Sequence, residues 1–127
     1  MKTHPIFSIL SVVYISGIFI LPRVIPSPLL LRIWNPYSLL HIPIYGVLMI
    51  LLVLSFGYTI NILKIVDPTI SFLFLPGCIA SVVGVLDEVN QIYIPYRDAS
   101  VTDVILDIVG ILLVGILFHL NQQRRRK

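Results

Sequence analysis

Four apolar runs decide what this chain can fold into. They are IFSILSVVYISGIFIL (6–21), LLHIPIYGVLMILLVLSF (39–56), TISFLFLPGCIASVVGVL (69–86) and a run over 101–120 that contains ILDIVGILLVGILFHL. A helix crossing the hydrocarbon core takes about 20 residues, with a working range of about 17 to 25. The first and third runs sit at the short end of that range. Backbone groups in hydrocarbon must be paired within their own segment, so each run is read as a helix. Composition agrees: 57% of the 127 residues are hydrophobic and 12% charged, with mean hydropathy +0.99. A soluble domain carries about twice that charged share. The expected fold is therefore all-α, a bundle of four transmembrane helices in a single domain over residues 1–127. Cys78 has no second cysteine to pair with. It lies within an apolar run and is expected to be a buried, inert thiol.

The first run resembles the core of a signal peptide, with Lys2 before it. Pro22-Arg23 follows, and no small-residue cleavage site is visible, so the run is expected to stay as a helix. The stretch RVIPSPLLLRIWNPYS between the first two runs is apolar and holds three prolines, Trp34 and Tyr37. It reads as an interfacial segment in the headgroup zone, able to anchor the bundle or to roof a site below it.

Lysine and arginine set the orientation. With four spans, the termini share a side with the loop after the second helix. Lys2, Lys64, Arg124, Arg125, Arg126 and Lys127 lie there, against Arg23, Arg32 and Arg97 opposite. Both termini are expected in the cytoplasm, with the basic tail on anionic lipid heads and not on nucleic acid. On this topology the start of helix two, the end of helix three and the start of helix four meet at the extracytoplasmic face. His41 and Tyr45, then Asp87, Glu88 and Gln91, then Asp103 and Asp107 occupy those three places.

Five of the six carboxylates, Asp87, Glu88, Asp98, Asp103 and Asp107, fall between the third run and the early fourth, with Arg97 as the one cation among them. An ionised acid near the middle of a lone membrane helix costs about 2.5 to 3.5 kcal/mol on insertion scales. Asp107 lies two turns into its helix and should face the bundle interior. Asp103, Asp107 and Gly110 are spaced i, i+4, i+7, on one stripe, and Gly110 would let a neighbouring helix approach. Like charges packed together do not all ionise. The group therefore needs shared protons, a divalent cation or water. Polar residues also glue membrane helices at about 0.6 kcal/mol per contact, and Ser100, Thr102 and Asp103 compete as caps of helix four. His4 and His119 lie away from the group and read as interfacial.

Three uses are open. The site can be an enzyme acting on an amphiphilic envelope substrate, with Glu88, Asp87 and His41 as proton carriers. Arg97 would then clamp a phosphate or carboxylate, with Gln91, Tyr45 and Ser100 as further substrate contacts. Asp103 and Asp107 would hold a divalent cation or orient the others. It can instead be a non-catalytic accessory site for a lipid head, a glycopeptide or a partner protein. Less directly, it can belong to a proton-coupled carrier, which four helices would complete only as a homo-oligomer. No compact metal motif, Gly-rich phosphate loop or haem signature is present.

The string D-E-x-x-Q-x-x-x-P-x-R-x-x-S-x-x-D-x-x-x-D-x-x-G-x-x-x-x-G is formed by Asp87, Glu88, Gln91, Pro95, Arg97, Ser100, Asp103, Asp107, Gly110 and Gly115. With H-x-x-x-Y at His41 and Tyr45, it resembles the VanZ-like family of small bacterial membrane proteins, named after a teicoplanin-resistance protein. The resemblance covers about residues 37–118. It implies a multi-pass protein of the bacterial cell membrane connected with the envelope, with membrane lipids and a lipid-linked precursor or glycopeptide as partners. It supplies no established reaction. Family members often carry Asp-Lys before the histidine motif, where this chain has Tyr37 and Ser38. That departure leaves Arg97 as the sole counter-charge.

Overall fold

In a computed structural model, which describes residues 5–24, 36–56, 68–95, 97 and 99–125, the chain is all-helical. Helix α1 covers Pro5–Val24, a 3-10 turn covers Pro36–Leu40, and α2 covers His41–Phe56. Helix α3 covers Pro68–Gln91 and α4 covers Val101–Arg125. Among the described residues there is no strand. All four helices are long and apolar enough to cross a membrane, which points to a multi-pass membrane protein.

Three helices extend beyond the expected ends and one starts later. The third run was expected over 69–86, but the helix continues to Gln91. Asp87, Glu88 and Gln91 are thus helical, and their side chains are buried among partners on other helices. The fourth, expected over 101–120, continues to Arg125 through polar residues that helices tolerate well. The first, expected over 6–21, continues past Pro22 to Val24. A proline in the last turn removes only one donor, and the remaining backbone groups gain from staying paired. The second starts later, because 36–40 wind as a 3-10 turn that feeds directly into His41. At 1.5 Å per residue α2 alone is about 24 Å long, short of the ~30 Å hydrocarbon core. The 3-10 turn makes up the difference, giving an apolar span over Ser38–Phe56. Pro43, third in α2, lies where a helix has no use for the missing N–H. Of the expected interfacial segment, residues 25–35 lie outside the described residues, as do Lys2, Lys64 and Asp98.

Helix α2 packs against each of the other three. Its buried side chains, Tyr45, Leu48, Met49, Leu52 and Val53, follow the three-four spacing of one helical face. Ala80 and Val83 of α3 and Ile111 of α4 close on them to form the core. Glycines set the distance between α2 and α4. A Cβ at Gly110 would stand 2.2 Å from the backbone oxygen of Ile42, and one at Gly46 would stand 3.4 Å from Val114. Gly110 therefore serves the close approach expected of it. Helix α1 packs Ile15, Ile18 and Phe19 against the core and adds polar contacts. Ser11 Oγ lies 3.0 Å from Ser55 Oγ, and Tyr14 donates to the Ile44 carbonyl at 3.1 Å. The hydroxyls of Ser16 and Ser81 donate to the carbonyl four residues back, and of Ser11 and Ser55 one donates to its carbonyl in the same way while the other donates across the pair, which satisfies them inside apolar helices.

The outside of the bundle is apolar almost throughout, with Val12, Val13, Phe74, Val82, Leu112 and Leu117 among its large exposed side chains. Patches of that extent are covered by lipid or by protein, not left to water. Cys78 belongs to this surface: it is exposed and not buried as expected. In such a helix an apolar neighbourhood in sequence does not specify the inward side.

Candidate functional site

The antiparallel arrangement puts the start of α2, the end of α3 and the start of α4 at one end of the bundle, and nearly every polar side chain of interest lies there. His41 opens α2 and is the hinge of the group. Its Nδ1 lies 2.8 Å from Asp107 Oδ1 and its Nε2 3.9 Å from Asp103 Oδ2. Asp103 and Asp107 are four residues apart in α4, so one helical face presents both to the same ring. The His41 ring stacks on Tyr45, with centroids 6.2 Å apart and planes 6° from parallel. Their spacing of four residues survives the proline between them, because α2 is regular from its first residue.

Asp87 and Glu88 reach the group from α3. Tyr45 OH donates to Asp87 Oδ2 at 3.5 Å, and Gln91 Nε2 donates to the same oxygen at 3.4 Å. Both are long. Glu88 is held more firmly: Gln91 Nε2 donates to Oε1 at 3.0 Å and the Ser100 backbone N–H donates to Oε2 at 2.8 Å. That last bond ties the end of α3 to the start of α4. The chain between them turns tightly, with Tyr93, Ile94 and Arg97 donating backbone bonds to Asn90, Gln91 and Ile94. Ser100 stands in the cap position of α4, its carbonyl accepting from Asp103 N–H at 3.0 Å. Asp103, in the first turn, is favourably placed against the positive end of the helix dipole.

Four carboxylates are therefore gathered and hidden: Asp107 is 1% exposed, Asp87 4%, Glu88 5% and Asp103 7%. Three buried oxygens, Asp87 Oδ1, Asp103 Oδ1 and Asp107 Oδ2, have no hydrogen-bond partner among the described residues. Buried polar atoms in folded proteins are overwhelmingly paired, and orphaned ones concentrate where a proton, water or ion completes the structure. His41 and Asp103 keep some access, with 15% and 10% of their side chains exposed.

Of the residues singled out from the sequence, His41, Tyr45, Asp87, Glu88, Gln91, Asp103 and Asp107 meet directly, and Ser100 joins through its backbone. Arg97 is half-buried and makes no ion pair among the described residues. The divalent-cation role was expected of Asp103 and Asp107. In the structure these two attend the ring nitrogens of His41. The donor set that could hold a cation is His41, Asp87 and Glu88, each offering one atom, all within 4.8 Å of one another.

Two contributors were missed. Gly84, one turn before Asp87 in α3, leaves space for Asp107: a Cβ there would stand 2.7 Å from Asp107 Oδ2. A glycine interrupting an apolar helix was the available signal. Arg23, counted only as a charge, donates from its guanidinium to Asn90 Oδ1, and Asn90 Nδ2 donates to the Phe19 carbonyl at 3.4 Å. These bonds fasten the end of α1 to the end of α3 beside the acidic group. No family model, curated protein or solved structure matches the chain.

Proposed function

We propose that the chain is a VanZ-like protein of the bacterial cell membrane, with both termini in the cytoplasm. Its polar site at the extracytoplasmic end acts on the head group of an amphiphilic, lipid-linked envelope component. The observation that carries this reading is the part-buried contact of His41 with Asp107 beside the buried Asp87 and Glu88, built from three helices at one end of an apolar bundle. Polar groups needed only to join helices are usually satisfied by one another. Here three carboxylate oxygens have no partner.

The chemistry follows from the contacts. Asp107 orients the His41 ring and leaves Nε2 directed at Asp103, a geometry suited to moving a proton to or from a bound group. Arg97 supplies a cation for a phosphate or carboxylate on the head group, by its planar fork of donors. The acyl chains of such a ligand would lie along the apolar outer surface. A non-catalytic binding role would use the same contacts without the proton transfer.

The test compares lipid-linked envelope precursors in wild-type, deletion and Arg97→Ala strains. The reading expects one lipid-linked species to change in the deletion and in Arg97→Ala alike; teicoplanin resistance is the phenotype of the family's namesake and need not transfer to this chain. Unchanged precursor profiles in both strains would overturn it. His41→Gln then separates the two roles, because an enzyme loses turnover with binding retained, whereas a binder keeps its phenotype.

A further inference from the structure

We propose that His41, Asp87 and Glu88 form a binding site for a first-row divalent cation, Mn²⁺ or Zn²⁺. Each residue presents one donor atom, and the three atoms lie within 4.8 Å of one another. Two ligands at about 2.1 Å from a common cation cannot be more than about 4.2 Å apart. Three ligands on one cation cannot all be opposite one another; spread evenly they stand about 3.4 to 3.6 Å apart, so the donors would close by up to about 1.2 to 1.4 Å through side-chain rotation.

A second observation points to the same place. Asp87 is buried, its Oδ1 has no partner, and its Oδ2 receives only the two long contacts from Tyr45 and Gln91. A carboxylate removed from water needs strong compensation, and nothing among the described protein groups gives it. A cation would. A third observation concerns His41. A metal-bound histidine usually donates its other ring N–H to a carboxylate, which fixes the tautomer and the ring orientation. With Nδ1 2.8 Å from Asp107 Oδ1, the ring is held in that way, and the lone pair of Nε2, 3.9 Å from Asp103 Oδ2, would be the one that a metal takes up. Glu88 is positioned by the Ser100 N–H and by Gln91.

Ligand type selects the cation. Two carboxylates alone would suit Mg²⁺, Ca²⁺ or Mn²⁺, and an imidazole in the set favours Zn²⁺ and a transition ion such as Mn²⁺ over Mg²⁺ and Ca²⁺. Three protein ligands leave coordination positions open, the pattern of a site that also takes water or a substrate oxygen. Binding needs no knowledge of the substrate, so this inference stands or falls separately from the envelope reading.

The competing arrangement is a doubly protonated His41 paired with Asp107 and Asp103, which leaves no lone pair for a metal. Full-length protein in nanodiscs, stripped with EDTA and titrated with MnCl₂ by electron paramagnetic resonance, separates the two. The proposal expects one tightly bound Mn²⁺ per chain, with pulsed spectra showing one directly coordinated imidazole nitrogen. Asp87→Asn is expected to abolish tight binding, and Asp107→Asn to weaken it about 10- to 100-fold, as removal of an orienting partner does. Absence of tight binding to wild-type protein, or bound Mn²⁺ without a nitrogen ligand, would overturn it. Both readouts come from the unaltered chain, so they hold even if a variant fails to fold.

Discussion

A methyl group at position 84 would stand 2.7 Å from Asp107 Oδ2, closer than real carbon atoms come. Asp107 is short but can rotate, so Gly84→Ala should cost about 1 kcal/mol, the low end of overpacking. Its larger effect should fall on the His41–Asp107 contact. Gly77→Ala is the matched control, because its Cβ would meet Ile111 at an ordinary 3.9 Å. Unfolding in detergent should show a small loss for Gly84→Ala and none for Gly77→Ala. The contact itself is measurable by a double-mutant cycle of His41→Ala with Asp107→Asn. Residues in direct contact couple by about 0.5 to 3 kcal/mol, whereas independent sites add to within about 0.5 kcal/mol. Coupling in the upper range is expected, and additivity would show that the 2.8 Å contact is not formed. That Asp103, Asp107 and Gly110 share a face was legible in the sequence, because local helical geometry fixes it. That Asp107 meets His41, or that Gly84 makes room for it, was not. Those facts depend on how two helices register against each other, which spacing within one helix does not encode.

At the scale of helices, Gly110 and Gly115 differ sharply despite their similar sequence settings. A Cβ at Gly110 would strike the Ile42 backbone oxygen at 2.2 Å, and a Cβ at Gly115 would meet nothing within 4 Å. Backbone cannot rotate away, so Gly110→Ala must push α2 from α4 and should cost about 3 kcal/mol or more, the upper end of overpacking. Gly115→Ala should be neutral or slightly stabilising, since alanine favours helix. Equal midpoints for the two variants in a detergent unfolding series would refute this packing. Hydropathy located all four helices. The apolar run stops at Leu86, just over one turn before the end of α3, because Asp87, Glu88 and Gln91 look like loop residues to any apolar scale, although the spacing already put them at that helix end. Their burial against His41, Tyr45 and Ser100 is what keeps them helical. The same scale misjudged Cys78. A helix apolar on every side carries no mark of which side meets its neighbours.

For the whole molecule, polar groups from three spans share a single end of the bundle, and that end is the one proposed to face the cell exterior. The shared end follows from the packing of α2, α3 and α4 around His41. The proposed outward direction rests on six of the nine lysines and arginines being expected on the opposite side. The measurement that reaches both parts is labelling with a membrane-impermeant thiol reagent in a Cys78→Ala background. Single cysteines replace Leu39 before α2, Ala99 before α4 and Gln123 near the end of α4, all exposed. Leu39→Cys and Ala99→Cys should both label in intact cells, and Gln123→Cys only after permeabilisation. Leu39 and Ala99 on different sides, or both reached only from the cytoplasm, would contradict the account.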